Sequence, residues 1–587
     1  MLDLVIKGGT VVDGLGSAAF EGDVGVRDGV ITAVGKVTER ARRTLDAAGA
    51  IVTPGFVDAH THYDGQVTWD DELIGSASNG VTTAVLGNCG VGFAPVRDGG
   101  QAELIDLMEG VEDIPGTALH EGIPWGNWET FAEYLDFLRG RSWSLDIAAQ
   151  LPHGPLRHYV MGERGYDEAG EQPATAEDVA EMARLAHDAA QAGAVGFSTS
   201  RILFHRGMSG RPVPGTFAPE AELLAIAEAL YAGGAGTVQA IPANGESEVP
   251  GAGGDPAKLL EEVRMLARIS RKSGVRCTFT TSQHSGDPGL YREVLATAAA
   301  ANVAGARLSP MVMPRAATVL TTLGGYHLFM RRPTYLRLAE RFSGAELVAA
   351  LRDPAVKSAI LAEPDHPHER PGSMQNSMPP FFRRALPRTF RMTDPVDYEP
   401  PLEKSLASLA ATAGRAEDEY LYDFLLEDEG TSVGMYLAVN YVDGNLDAAG
   451  EMLADPNSVS GLSDAGAHVN FICDMSVPTF HLAHWVRDRT RGERLPIELV
   501  VAKITAKPAE TFGLTDRGAL VPGRRADVNI LDLDRLAVRP PKLLHDLPAG
   551  GSRFIQPGEG YVATVVRGVP TRLADQDTGE RPGRLAR

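Results

Sequence analysis

The sequence predicts an α/β protein, a TIM-like (β/α)8 barrel carrying a small β domain assembled from the two chain ends. Three observations predict it. Apolar runs of strand length alternate with helical stretches through most of the chain, the pattern of a parallel sheet with crossover helices. Eight such runs can be counted, the number that closes a barrel. Both chain ends fall outside the alternation and read as short antiparallel strands, which need a partner to cover their apolar faces.

Taken in order, residues 2–53 read as β structure, with Asp28-Gly29 as a tight hairpin turn between two β-branched runs. The first barrel strand leads through Pro54-Gly55-Phe56-Val57-Asp58 into His60 and His62. The second is 81–86, running into Gly87-Asn88-Cys89-Gly90, and the third is 145–151, followed by His153. A helix over 176–192 follows, with Thr175 as N-cap, Asp178 at the capping-box position and Gly193 just past its end. Strands four, five and six are expected at 194–199, 236–241 and 275–281, separated by helices near 219–231 and 256–273. A helix near 290–301 precedes strand seven at 306–312, which Pro310 weakens as a strand. Strand eight is 458–463 and runs into Asp464. The segments 517–532 and 562–570 return to β signals and can pair with the N-terminal strands. The expected division is therefore 1–54 and 515–587 for the β domain and 55–514 for the barrel. A long, Pro-rich insertion near 315–440 is expected to supply a lid, since long barrel loops carry function.

In a barrel of this kind the chemistry sits at the C-terminal ends of the strands. His60 and His62 end strand one and share a face, because alternate side chains of a strand point the same way. Two neutral imidazoles converging there can chelate a divalent cation. An isolated His-x-His is more commonly a hydrogen-bonded pair, and the barrel context is what gives this one its meaning. Cys89 is either a further ligand or a small buried hydrophobe. Asp464 is either a helix N-cap or an acid-base group, and barrel closure would bring it beside strand one.

The chain has 587 residues, 43% hydrophobic and 22% charged, which suits a globular enzyme with a large core. Its net charge of −22 argues against nucleic acid as a partner. Three cysteines cannot make a disulfide framework, which fits a reducing compartment. No targeting segment or membrane-spanning run is apparent, so a cytoplasmic protein acting on a small molecule is expected, with homo-oligomerisation left open.

The stretches 4–14, 54–62, 87–90, 111–116, 194–199, 461–468 and 518–532 together resemble the amidohydrolase superfamily, in particular its N-acyl-D-amino-acid deacylase (D-aminoacylase) family. The resemblance implies a β-sandwich from both chain ends and a barrel that holds a divalent metal, usually zinc, and hydrolyses a linear amide, such as an N-acyl-D-amino acid. By position it implies His60, His62, Cys89 and Asp464 as metal ligands, with Asp464 also the residue acting on water at the metal. It also implies a basic group for the substrate carboxylate, for which Arg201, Arg206 and Arg315 are candidates. The chain departs from the family where further metal-binding histidines would end strands five and six. Strand five ends in Gln239-Ala240-Ile241-Pro242, and the histidine near strand six, His284, comes late. This leaves open one ion or two, with His284 and His153 as tentative ligands. Two other functions stand beside the first. One is cyclic-amide hydrolysis, disfavoured by the absence of lysine in strand four; the other is a weakened barrel that binds a ligand without turnover.

Overall fold

The computed structural model describes residues 1–166, 172–243 and 256–586, so the expected barrel stretch and the C-terminal tail each include a few residues outside this description. Among the described residues, eight parallel strands follow one another around the barrel. They are Phe56–Asp58, Val81–Leu86, Asp146–Pro152, Gly196–Ser200, Thr237–Ile241, Arg276–Thr281, Leu308–Val312 and Val459–Ser460. The cylinder closes just beyond the strand ends, where Thr61 bridges Ala465 and the His62 N–H donates to the Ala465 carbonyl at 2.9 Å. Strand eight is shorter than the six residues expected. Leu462 and Asp464 take φ of 67° and 47°, left-handed backbone that cannot continue a ladder. Pro310 does sit within strand seven, and the residues after it, Met311 and Val312, pair with Val459 and Ser460.

The crossover helices form where their caps and stripes dictate. Ala176–Gln191 opens with the reciprocal Thr175/Asp178 capping box and buries Met182, Leu185, Ala186 and Ala189 along one face. Such a cap stabilises a helix by about 1 kcal/mol. Small side chains fill the barrel axis, among them Ala59, Val85, Ala148 and Val195, over a floor of Ala509, Phe512, Leu514 and Ala586. Asp146, buried at the start of strand three, receives Arg517 at 2.8 Å and Arg525 at 2.6 Å and ties the tail to this floor. The N-terminal end of the barrel is thereby sealed.

The two chain ends share one nine-stranded sheet, in which Val528–Leu531 runs antiparallel to Ile51–Pro54. Leu4, Ile6, Val24, Val528, Ile530 and Val565 form its core. The hairpin between Phe20–Arg27 and Val30–Gly35 turns at Asp28 and Gly29, with φ of 53° and 73°, as a two-residue turn matched to strand twist requires.

Between strands seven and eight the chain is more than a loop. Thr318–Thr321, Thr389–Arg391 and Gly434–Leu437 make an antiparallel sheet that packs with several helices around Leu328, Phe329, Ile360, Phe382, Leu421 and Phe424. One of those helices, Met374–Ala385, turns Met374, Ser377, Met378, Phe381 and Arg384 towards the barrel mouth. It reaches that position because Gly372 packs on Gly207, where a Cβ would lie 2.0 Å from the Gly207 carbonyl oxygen. No helix of the described residues is long and apolar enough to cross a membrane.

Candidate metal centre

The strand-one histidines project into the open mouth of the barrel and are almost wholly buried, each 1% exposed. Cys89 Sγ lies 3.3 Å from His60 Nε2 and 3.7 Å from His62 Nε2. Asp464 Oδ1 approaches the same two nitrogens at 3.5 and 3.9 Å. Its side chain keeps 18% exposure, enough to meet a molecule in the cleft.

Local sequence explains each position. Cys89 sits in a turn where Gly87 and Gly90 take φ of 81° and 69°; a Cβ on Gly87 would come within 2.2 Å of the Gln150 carbonyl oxygen. The Asn88 amide pins the turn by donating to the Val85 and Thr61 carbonyls at 2.8 and 3.0 Å. Cys89, Asp464 and His468 are all non-glycine residues at positive φ, a strain that clusters at functional sites. Ser463 donates to the Asp58 carboxylate, linking the closing strand to strand one.

The electrostatics favour neutral donors. Burial pushes the His60 imidazole down to about 3, helped by His205 and His468, and pushes His62 well below the ordinary histidine value. Burial also lifts the Asp58 and Asp64 carboxyls to about 7, and holds Glu112 well above its usual range with the charges of Asp464 and Asp64 adding to the effect.

Whether these residues suit a metal is tested by the donors themselves. His60, His62 and Cys89 offer one ligand atom each, all within 4.8 Å of one another. The 3.3 and 3.7 Å spacings from Cys89 Sγ to the two Nε2 atoms match the edge of a tetrahedron whose metal–ligand bonds are roughly 2.0–2.3 Å, with Asp464 Oδ1 slightly farther from His62 at 3.9 Å. The set fits a thiophilic divalent ion.

The other candidates fall elsewhere. His153 uses both ring nitrogens, with Nδ1 at 2.9 Å from Thr199 Oγ1 and Nε2 at 2.9 Å from Glu222 Oε1, so it has none left for a metal. His284 lies past the end of strand six, in a turn that pairs it with Asp287, and does not line the cleft. Arg201 is paired with Glu262, and Arg315 is fully buried on Asp474 at 2.9 Å and over the Tyr398 ring. Arg206 does line the cleft, held by the Leu203 and Gly210 carbonyls. The ends of strands five and six bring no imidazole; Gln239 is buried with both amide atoms unpartnered, as are the hydroxyls of Thr280, Thr281 and Ser282.

Four charged or imidazole residues of the cleft lining were not among the sequence candidates: Glu112, His205, Arg384 and His468. Glu112 had a readable signal. It falls on the apolar stripe of its helix with Leu104, Leu107, Met108 and Val111, where a carboxylate needs a partner. His205 follows strand four and accepts or donates at 2.9 Å to Ser200 Oγ. The whole cleft has a volume of about 630 Å³, walled by Met313, Met374, Met378, Phe381 and Phe471.

A barrel with histidines and an aspartate at this mouth defines a hydrolase class, and comparison with known proteins agrees. The chain belongs to the amidohydrolase family, whose profile matches residues 43–572, and it is thereby a hydrolase of carbon–nitrogen bonds. It is 29% identical over 551 residues to an N-acyl-D-glutamate deacylase of Alcaligenes xylosoxydans xylosoxydans, a match spanning 92% of this chain and 89% of that one. The crystal structure of D-aminoacylase superposes with a TM-score of 0.64 at 23% identity, covering all of both chains. An N-acyl-D-glutamate deacylase from Bordetella bronchiseptica, complexed with zinc and a phosphonate inhibitor, gives 0.62 at 23% identity over 100% of this chain and 99% of that one.

Proposed function

We propose that this chain hydrolyses a linear amide, an N-acyl-D-amino acid, at a single divalent ion held by His60, His62 and Cys89 beside Asp464. The observation that carries the proposal is the convergence of two imidazole nitrogens, a thiol and a carboxylate at the base of one cleft. One ion is favoured because the strand-five and strand-six ends offer amide and hydroxyl groups in place of further imidazoles. The ion supplies Lewis acidity that polarises the amide carbonyl and makes water acidic near neutral pH, chemistry for which zinc suits this donor set.

The chain's own residues account for the rest. Burial keeps His60 and His62 uncharged, so each ring has one unprotonated nitrogen to offer across the neutral range. Asp464 Oδ1 takes the proton of the attacking water and returns it to the departing nitrogen. Arg206 and Arg384 line the same cleft, and among the described residues neither has a carboxylate within 4 Å; they serve the substrate carboxylate. The methionine and phenylalanine wall takes the apolar part of the substrate.

The test is metal analysis of purified protein with a hydrolysis screen over N-acyl-D- and N-acyl-L-amino acids. One equivalent of metal with turnover confined to D-substrates supports the reading. Turnover of cyclic amides alone, or protein without metal and without turnover, sinks it.

A further inference from the structure

We infer that Glu112 is a positioning residue of this centre: its carboxylate holds His62 from the far side of the ring and ties it to His468. The inference rests on the metal centre proposed above. Glu112 ends the helix Gln101–Glu112 and is 1% exposed. Its Oε1 lies 3.4 Å from His62 Nδ1 and its Oε2 lies 3.4 Å from His468 Nε2. The main chain repeats the link, because the His468 N–H donates to the Glu112 carbonyl.

His62 directs Nε2 at Cys89 and Asp464, which leaves Nδ1 as the atom that decides its tautomer. With a carboxyl oxygen facing Nδ1 at 3.4 Å, the ring can carry its proton on that side, which leaves the Nε2 lone pair for a metal and fixes the ring's plane. Among the described residues Glu112 has no lysine or arginine within 4 Å; the groups beside its carboxyl are the two imidazoles and the Cys89 thiol. A buried acid without a cation, which burial already holds well above its ordinary range, is costly to fold around for packing alone. Its second oxygen reaches the loop that carries Asp464, where the Ala467 N–H donates to the Asp464 carbonyl at 2.9 Å. One side chain thus sets a ligand on strand one and the loop after strand eight in a common frame.

The test is zinc affinity, measured by competition with a chromophoric chelator, in native protein, Glu112→Ala and Glu112→Gln, with cobalt-loaded absorption spectra of each. Zinc affinity is expected to fall about 10- to 100-fold in Glu112→Ala, and less in Glu112→Gln, which keeps an acceptor oxygen. The cobalt ligand-field bands should shift in both. If Glu112→Ala does not fold, the isosteric Glu112→Gln decides alone: a loss of more than about threefold supports the inference and a smaller one overturns it. Native protein that binds zinc tightly beside variants that match it overturns this inference only. Native protein that binds none overturns the metal centre as well.

Discussion

At the end of strand three, His153 gives both ring nitrogens to protein partners; at the end of strand one, His60 and His62 do not. Both places are buried, and both set imidazole near carboxylate. Around His153 both ring nitrogens are used, since Glu222 Oε1 receives His153 at 2.9 Å and Arg157 at 3.1 Å and Thr199 takes the remaining nitrogen; among the described residues Glu222 Oε2 is the one group there without a hydrogen bond. Around strand one the Nε2 atoms of both histidines converge on a thiol and a carboxylate at the base of the cleft, while His62 Nδ1 meets Glu112 Oε1 at 3.4 Å without a formed hydrogen bond. A satisfied network holds a fold together. An unsatisfied one at a cleft awaits a ligand, and this separates the two regions more sharply than burial or residue type does.

The largest expected effect is on chemistry at the unsatisfied end. Asp464→Asn should lower kcat by roughly 10²–10⁴-fold with little change in the melting curve, and near-native turnover of an N-acyl-D-amino acid by that variant would remove Asp464 from the mechanism. Next comes a buried ion pair away from the cluster, Arg315 with Asp474. Arg315→Ala should cost about 3–5 kcal/mol by stranding the Asp474 carboxylate, while metal content in the folded fraction stays at the native level. Urea unfolding and metal analysis of the same sample check both halves.

His153→Gln should be milder, about 1–3 kcal/mol, and should leave metal content intact; loss of metal would merge the two regions. Its pH signature follows from sign. Burial depresses the His153 pKa in the folded state, and Glu222 is depressed too, with His153 and Arg157 outweighing the cost of its burial. The unfolded chain therefore binds more protons as pH falls below the ordinary histidine value of 6.5, and stability is full above that and declines below it. His153→Gln should flatten that decline in a series of denaturant midpoints. The smallest effect is at the cleft wall. Arg384→Ala should raise KM about tenfold for a carboxylate-bearing substrate with kcat little changed, which steady-state kinetics on acid and amide forms of one substrate would detect.

Much of the barrel was legible because its strands are short apolar runs with punctuation at both ends. The run 81–86 and the helix with its Thr175 cap emerge as expected, since periodicity and capping are local properties. Strand eight was over-read because nothing in Gly461-Leu462-Ser463 announces left-handed backbone at Leu462; that conformation is imposed by closure against strand one. The insertion was under-read as a connection because its apolar residues are scattered over more than a hundred positions and meet only in three dimensions. In the cluster, His60, His62, Cys89 and Asp464 were found from strand ends. His153 satisfied the same rule and lies elsewhere, because a strand-end position does not say whether a ring nitrogen is already used. Glu112 lies on a helix, where only its place on the apolar stripe gives it away, and His205 lies on a loop, where spacing carries no register.

The most direct check on the central claim is the absorption spectrum of the cobalt-substituted protein titrated to saturation. One equivalent should bind with a thiolate-to-cobalt charge-transfer band that vanishes in Cys89→Ser and survives in His153→Gln. A spectrum without that band, or one that His153→Gln alters and Cys89→Ser does not, would contradict it.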